Sequence, residues 1–295
     1  MQKTLDLIIN PIAGGKHGKK IQNCVALAES RLKERGIPYN VHFSSKKGGV
    51  KELTKEVIAN GSTDVVVFGG DGTLHETING FSNFDKVNLG IIPCGTGNDF
   101  ATTINLPSNP TSAIDLIIDG TPKYTDFMQM PTVRGLNVIG MGMDVEVLNR
   151  YEQLKKKNKF GYTKCLIKTL FNFDCIKFNA DTDGERQDYT AFIACVANGS
   201  MFGGGIKICP SAVADDGKLN FVAVDSMNKL GIIKAFIQLK GGKILEHKKT
   251  HHTLAESIKV INSAPHYTVN VDGELYDDIP FEIKVISNTL KIYRN

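Results

Sequence analysis

The stretch Val65-Val66-Val67-Phe68-Gly69-Gly70-Asp71-Gly72-Thr73-Leu74-His75-Glu76 governs the reading of the chain, because an apolar run stops abruptly in four turn-forming residues. Val65 to Phe68 is β-branched and aromatic, the pattern of a fully buried strand in a parallel sheet. The glycines that follow allow positive φ and a close approach to a ligand with no Cβ in the way. Thr73 is predicted to cap a helix with apolar positions at Leu74, Ile78 and Phe81. Its free amides and positive dipole end then lie at the carboxyl edge of the sheet, where an open α/β fold binds anions. Asp71 inside such a loop needs a cation or a ribose hydroxyl to balance it, which suggests a nucleotide with a metal. A tight strand-to-helix turn that merely needs glycine explains the same residues. No Walker A motif occurs, and Gly70-x-Gly72, Gly95-x-Gly97 and Gly140-x-Gly142 each lack the third glycine of a dinucleotide fingerprint.

The same logic occurs twice more. Leu5 to Ile9 is a strand that runs into Asn10-Pro11-Ile12-Ala13-Gly14-Gly15-Lys16, followed by a helix over Ile21 to Glu34. In that loop Asn10 can order the turn and Lys16 can neutralise a phosphate, although Lys16, Lys19 and Lys20 also read as a solvated helix start. Leu89 to Pro93 is a strand that runs into Cys94-Gly95-Thr96-Gly97-Asn98-Asp99-Phe100-Ala101, where Asp99 is either a helix N-cap or a second functional acid. Between these units lie a strand over Tyr39 to Phe43, ending at Ser44-Ser45, and a helix over Lys51 to Ala59. Three strands ending in glycine-rich turns define one phosphate-compatible crevice in an α/β domain.

From Lys123 the βα alternation gives way to short strand-like segments such as Leu136 to Met141, Thr190 to Ala197, Leu219 to Val224, Tyr267 to Val271 and Phe281 to Ile286, with only two clear helical stretches among them. This reads as a β-rich sandwich or barrel. Tyr151 to Phe171 contains Lys155-Lys156-Lys157-Asn158-Lys159; a solvated basic face and a membrane-surface segment both fit it. Lys229 to Leu239 reads as an ordinary amphipathic helix. His247, His251 and His252 lack a helper carboxylate placed for zinc and read as solvent-exposed. Asp215-Asp216-Gly217-Lys218 and Asp272-Gly273-Glu274 each read as a hairpin tip or as a cluster of carboxylates with chemical work to do.

A chain of 295 residues suits two domains, or one domain with a large insertion. The expected division is 1–127, to which 286–295 can return, and 128–285. Hydrophobic and charged fractions of 41% and 22% are those of a globular protein in water, no apolar run reaches about 18 residues, and Asp6 interrupts the only apolar stretch that could serve as a signal. A cytoplasmic protein is expected. Cys24, Cys94, Cys165, Cys175, Cys195 and Cys209 are scattered without a C-x-x-C pair and read as reduced thiols. A net charge of +4 permits attraction to nucleotides or an anionic membrane face and is too dispersed for nucleic acid.

Taken in order, Asn10-Pro11 with its glycines, Gly69 to Thr73, Pro93 to Ala101, Gly203-Gly204-Gly205 with Pro210 and Asp215-Asp216-Gly217, and Asp272-Gly273-Glu274 resemble the diacylglycerol kinase catalytic family, most closely its soluble bacterial lipid kinases. The resemblance spans nearly the whole chain. It implies an ATP-binding α/β domain akin to those of NAD kinases and phosphofructokinases, a C-terminal β-sandwich, and a cleft between them. By the same resemblance ATP is contacted by Asn10, Pro11, Ile12, Ala13, Gly14, Ser44, Gly70, Asp71, Gly72, Thr73, Leu74, His75, Glu76 and Thr96. Relatives usually carry threonine where this chain has Ser44, a change that keeps the hydroxyl. Mg2+ is assigned to Asp216 with the backbone carbonyls of Val213 and Lys218. The catalytic base is Glu274 or Asp272, with Glu274 favoured, and Asp71, Asp99 and Asp126 align with acids that organise the active site. The implied reaction is ATP-dependent phosphorylation of a lipid hydroxyl, diacylglycerol being the leading acceptor and phosphatidylglycerol, a sphingoid base and undecaprenol remaining open. An NAD kinase and a catalytically silent nucleotide-binding regulator are the alternatives. The implied partner is a lipid at the membrane surface, met transiently; no nucleic acid is expected, and a homodimer stays open.

Overall fold

Runs such as LDLII and DVVVFG have no polar face to show to water, so they form strands only where both faces of a sheet are covered. The computed structural model describes residues 3–11, 19–45, 48–154, 159–170, 172–261 and 267–295. Its chain divides into Met1–Asp126 with Ser287–Asn295, and Phe127–Ile286. In the first unit, β1 (Leu5–Ile9), α1 (Lys19–Glu34), β2 (Tyr39–Phe43), α2 (Gly49–Ala59), β3 (Asp64–Gly69), α3 (Asp71–Gly80), β4 (Asn88–Pro93), α4 (Asp99–Thr103) and α5 (Pro110–Asp119) alternate before β5 (Pro122–Gln129) leads out. The strands pair in parallel as β2-β1-β3-β4. Register sets Ile9 beside Phe68 and Phe68 beside Ile92, so the loops after β1, β3 and β4 leave the same edge of the sheet. On one face α1 and α5 pack Ile21, Cys24, Ala28, Leu32, Ile114 and Ile117 against Leu5, Leu7, Val66 and Phe68.

The second unit contains β6 (Arg134–Gly135), β7 (Val138–Gly142), α6 (Met143–Glu152), α7 (Lys159–Leu170), β8 (Ile176–Thr182), β9 (Glu185–Ala197), β10 (Leu219–Asp225), α8 (Lys229–Lys240), β11 (Thr250–Ala255), β12 (Ser257–Ile261), β13 (Thr268–Val271), β14 (Glu274–Asp277) and β15 (Glu282–Tyr293). Antiparallel pairing runs β14-β13-β7-β9-β8-β12-β15, with β10 between β9 and β11. The period of two sorts side chains between two cores: Ala194, Val196, Phe221 and Ala223 enter a core between strands, while Cys195, Ala197, Val222 and Val224 enter a second core under α6, α7 and α8. β15 starts in this unit, where Lys284 pairs with Ser257, and ends in the first, where Lys291 and Ile292 pair in parallel with Asn88 and Leu89 of β4. The Tyr293 hydroxyl near its end donates to Asp64.

The fold is the expected α/β domain followed by a β-sandwich-like one. Two local expectations fail. The sequence predicts two helices after Lys123 and the described residues form three α-helices; α6 is hidden in the sequence because its apolar positions continue the alternation of β7 without a break. His247 is buried rather than exposed, and His251 and His252 lie on β11, bonded to Asp225 and Asn220, with no cluster of metal-ligating side chains among the described residues.

Candidate active site

At the carboxyl edge of the parallel sheet the loops are locked together. An ideal Cβ on Gly70 would lie 2.8 Å from the Gly95 α-carbon, and one on Gly95 would lie 2.4 Å from the Gly70 α-carbon, so the turns after β3 and β4 touch backbone to backbone. Glycine is required here by this approach and not by positive φ: Gly70 has φ −114°, and neither Gly72, Gly95 nor Gly97 is left-handed. Asn98 takes the left-handed conformation instead (φ 56°), and its side-chain amide accepts from the Gly95 N–H at 2.9 Å and donates to the Gly95 carbonyl at 3.2 Å. Lys20 also reaches this turn, its Nζ donating to the Gly95 carbonyl at 2.9 Å.

Thr73 does not cap α3. The helix begins at Asp71 with Gly70 as its cap residue, which offers no side-chain cap. Thr73 is buried in the first turn, its Oγ1 accepting from Asn10 Nδ2 at 3.3 Å, which ties the β1 loop to α3. A Cβ on Gly69 would sit 2.3 Å from the Thr73 side chain. Asp71 Oδ1 accepts from the Phe100 amide at 3.2 Å, and a Cβ on Gly97 would lie 2.7 Å from Asp71 Oδ2. Asp99 is the first residue of α4 and not its cap, and both it and Asp126 are buried. Leu74 and His75 are buried, Gly72 and Thr96 exposed. The Glu76 carboxylate accepts from the Gly48 and Val50 amides at 3.1 and 2.9 Å, so it caps α2. Ser44 follows β2 with its amide on the Ile9 carbonyl, 3.0 Å away. Its side chain is 3% exposed, and Oγ finds no hydrogen-bond partner among the described residues. A buried hydroxyl with nothing to bond costs stability unless a ligand supplies the partner. Asn10 and Pro11 stand at the mouth of the β1 loop; Ile12, Ala13, Gly14 and Lys16 lie outside the described residues, as do Lys155, Lys156 and Lys157.

In the second unit the Asp272-Gly273-Glu274 turn joins β13 to β14. Asp272, at φ 53°, accepts from the amides of Leu136, Asn137 and Val138 at 2.7, 2.9 and 3.0 Å, and its own amide donates to the Val138 carbonyl at 3.0 Å. That carboxylate accepts from three backbone amides and so also holds the turn in place. Behind the turn, Gly273 donates to Asn270 Oδ1 at 2.8 Å, and Asn270 Nδ2 donates to Asp144 Oδ2 at 3.0 Å. Asp144 is fully buried, and burial raises its pKa to about 6 against the Asn270 hydrogen bond, which acts the other way. A Cβ on Gly140 would lie 2.2 Å from Asp144 Oδ2, so the glycine makes room for the carboxyl. Asp144 also borders a narrow crevice with Met143, Tyr162, Leu166, Phe192, Ile232 and Phe236, whose surface is entirely apolar. Sequence reasoning gave no role to Asn98, Asp144 and Asn270, and read Lys20 as part of a solvated helix start where the structure sets it on the Gly95 carbonyl. The signals available were an asparagine in a glycine turn and an acid inside the apolar stretch Val138 to Leu148.

Asp216 lies in an exposed turn, its Oδ1 accepting from the Lys218 amide at 2.9 Å. The Lys218 ammonium bonds Glu256 at 2.7 Å, which raises its pKa. One carboxylate with backbone carbonyls of Val213 and Lys218 is a hard-oxygen set that fits Mg2+ in kind, with solvent free to complete the shell.

Residues 4–130 match the diacylglycerol kinase catalytic domain model, and residues 137–294 match the YegS C-terminal NAD kinase beta sandwich-like domain model. The chain is 28% identical over 297 residues to a Mycobacterium tuberculosis protein named diacylglycerol kinase, covering 97% of this chain and 94% of the relative. It is 27% identical over 292 residues to a "Probable lipid kinase YegS-like" of Xanthomonas oryzae pv. oryzae, covering 94% of each. A crystal structure described as a "putative diacylglycerol kinase" from Bacillus anthracis superposes with a TM-score of 0.81 at 27% identity, covering 100% of this chain and 95% of that one. With one domain model over its parallel-sheet half and the other over its antiparallel half, the chain belongs to the diacylglycerol kinase catalytic family, a family of ATP-using lipid kinases.

Proposed function

We propose that this chain transfers the γ-phosphoryl group of ATP to the free hydroxyl of a diacylglycerol, releasing ADP and phosphatidic acid. The observation that carries the nucleotide half of this reading is the locked edge of the parallel sheet: Gly70 against Gly95 at the start of α3, and a buried Ser44 hydroxyl with no partner among the described residues. Phosphoryl transfer asks the protein mainly to position its reactants and neutralise charge, which backbone amides and a rigid loop pair do well. Asn10, Pro11, Ser44, Gly70 to Glu76 and Thr96 are the proposed ATP contacts among the described residues.

Glu274 is the proposed general base. It accepts the proton as the lipid oxygen forms its bond to the γ-phosphorus and the bond from that phosphorus to ADP breaks. Such help is worth about 10²- to 10⁴-fold in rate. Asp272 holds the turn through its amide bonds. Asp216, with the Val213 and Lys218 carbonyls, would hold Mg2+, whose positive charge would order that turn. Diacylglycerol is favoured as acceptor by the name of the M. tuberculosis relative and by the apolar crevice beside Asp144. No described helix is long and apolar enough to cross a membrane, so the proposed meeting with the lipid is peripheral.

Labelled ATP and magnesium, offered with diacylglycerol, phosphatidylglycerol, a sphingoid base, undecaprenol or NAD, tests the reading. Labelled phosphatidic acid is the expected product, absent with Asp71→Ala. Transfer to NAD, or tight ATP binding with transfer to no acceptor, overturns it.

A further inference from the structure

The helices that cover the second core show apolar side chains to water as well as to the interior. On α8, Ile232, Ala235, Phe236 and Leu239 line the apolar crevice, while Leu230, Ile233 and Ile237 are 78%, 46% and 65% exposed. Spacings of three and four put these three in one stripe along the outer face. α7 repeats the arrangement: Tyr162, Leu166 and Leu170 line the crevice, while Phe160 and Ile167 are 79% and 41% exposed. Half of the ten large apolar side chains exposed in the described chain lie on these two helices. Scattered exposed apolar residues need no explanation, but two helices that line one crevice and each show an apolar stripe to water do.

The charges on these two helices have one sign. Lys164 and Lys168 stand exposed on α7, Lys234 and Lys240 on α8, and neither helix contains an aspartate or glutamate. A water-facing helix usually mixes both signs. An apolar stripe flanked only by lysines is the pattern of a helix lying in the headgroup region of an anionic bilayer. We infer that α7 and α8 form the surface by which this protein seats on an anionic lipid bilayer, with Leu230, Ile233, Ile237, Phe160 and Ile167 entering the acyl boundary.

The inference rests on the lipid-kinase reading for its purpose but not for its test. It also explains why the crevice lies where it does. About 40 Å³ of free volume is far less than the roughly 300–1,000 Å³ of a formed ligand pocket, so α7 and α8 must part to admit an acyl chain. Helices already embedded in lipid can part without exposing the crevice to water.

The test is sedimentation of the full chain, without nucleotide, with vesicles of phosphatidylcholine alone or containing phosphatidylglycerol. The variants are Leu230→Ser/Ile233→Ser/Ile237→Ser and Lys164→Gln/Lys168→Gln/Lys234→Gln. Wild type should bind anionic vesicles and bind phosphatidylcholine at least tenfold less. The serine variant should lose about tenfold or more in partitioning, and the glutamine variant should lose its preference for anionic lipid. Both variants should keep wild-type turnover on a short-chain diacylglycerol dispersed in detergent, which reports the chemistry apart from the docking. Undiminished vesicle binding by the serine variant overturns the inference. So does a wild-type dimer that the serine variant converts to monomer with no change in vesicle binding, because a second copy would then be the occupant. Loss of turnover by wild type on every dispersed lipid strikes the kinase reading and leaves the vesicle result standing.

Discussion

The backbone of Gly95 lies against that of Gly70, close enough that a methyl group on either residue would overlap the other's α-carbon. Two loops, each ending its own strand, are thereby fixed as one surface, and Asn98 and Lys20 hold the second of them from the Gly95 carbonyl and amide. Gly95→Ala should push the turns apart. The expected cost is about 1–3 kcal/mol in urea unfolding, with a loss of ATP binding larger than the stability loss explains. A variant that binds ATP normally would show that the contact is incidental to the site.

Ser44→Ala should act in opposite directions on the apoprotein and on the complex. Removing a buried hydroxyl that has no partner among the described residues should raise apoprotein stability by about 0.5–1 kcal/mol. The thermal shift on adding ATP should shrink, and the ATP dissociation constant should rise severalfold. Ser44→Thr should keep the shift. Equal ATP-induced shifts in wild type and Ser44→Ala would remove Ser44 from the site.

Asp272 and Glu274 are two residues apart and should separate cleanly. Asp272→Ala strands the amides of Leu136, Asn137 and Val138 and should destabilise the protein by about 2–4 kcal/mol. Glu274→Gln should leave the unfolding midpoint within about 0.5 kcal/mol of wild type and lower kcat by about 10²-fold or more. A Glu274→Gln enzyme with wild-type kcat would return the search for the base to other residues.

Asp144 should give stability a pH dependence of unusual sign for a carboxyl. Burial raises its folded-state pKa from 3.8 to about 6, so the folded protein holds this proton more tightly than the unfolded chain. The stabilisation is fully present below about pH 4 and is lost as pH rises through about 6, amounting to on the order of 3 kcal/mol. Asp144→Asn keeps an acceptor for Asn270 and removes the titration. The stability difference, wild type minus variant, should therefore fall between pH 4 and pH 7, as urea titrations at both pH values would measure. A flat difference would mean that Asp144 ionises as freely in the folded state as in the unfolded one.

Much of the fold is legible because its cause is local. Val65 to Phe68 has no polar face, so it can only be a covered strand, and the Gly-Gly-Asp-Gly run after it can only be a turn at a sheet edge; five such signatures in order identify the family. The β13–β14 tip is legible in the same way. Its hydrogen bonding is not: only the fold brings the Asp272 carboxylate to the amides of Leu136 to Val138, more than 130 residues earlier. Thr73 reads as a cap because its neighbours in sequence are turn formers, yet its hydroxyl serves Asn10 from a different loop. The need for glycine at Gly70 and Gly95 is likewise visible from sequence but its reason is not, since φ is a local property and the approach of two backbones is not. The outer stripe of α8 went unremarked because helical periodicity shows that a helix has faces without showing which of them the core leaves uncovered. Sequence by itself therefore determined most of the elements, their order and the chemical kinds present at the site, all of which follow from neighbours along the chain. Tertiary structure alone decided that Asp272 accepts from backbone amides, that the Ser44 hydroxyl is buried with no partner among the described residues, and which apolar faces remain in water, because each depends on groups that meet only when distant segments fold together.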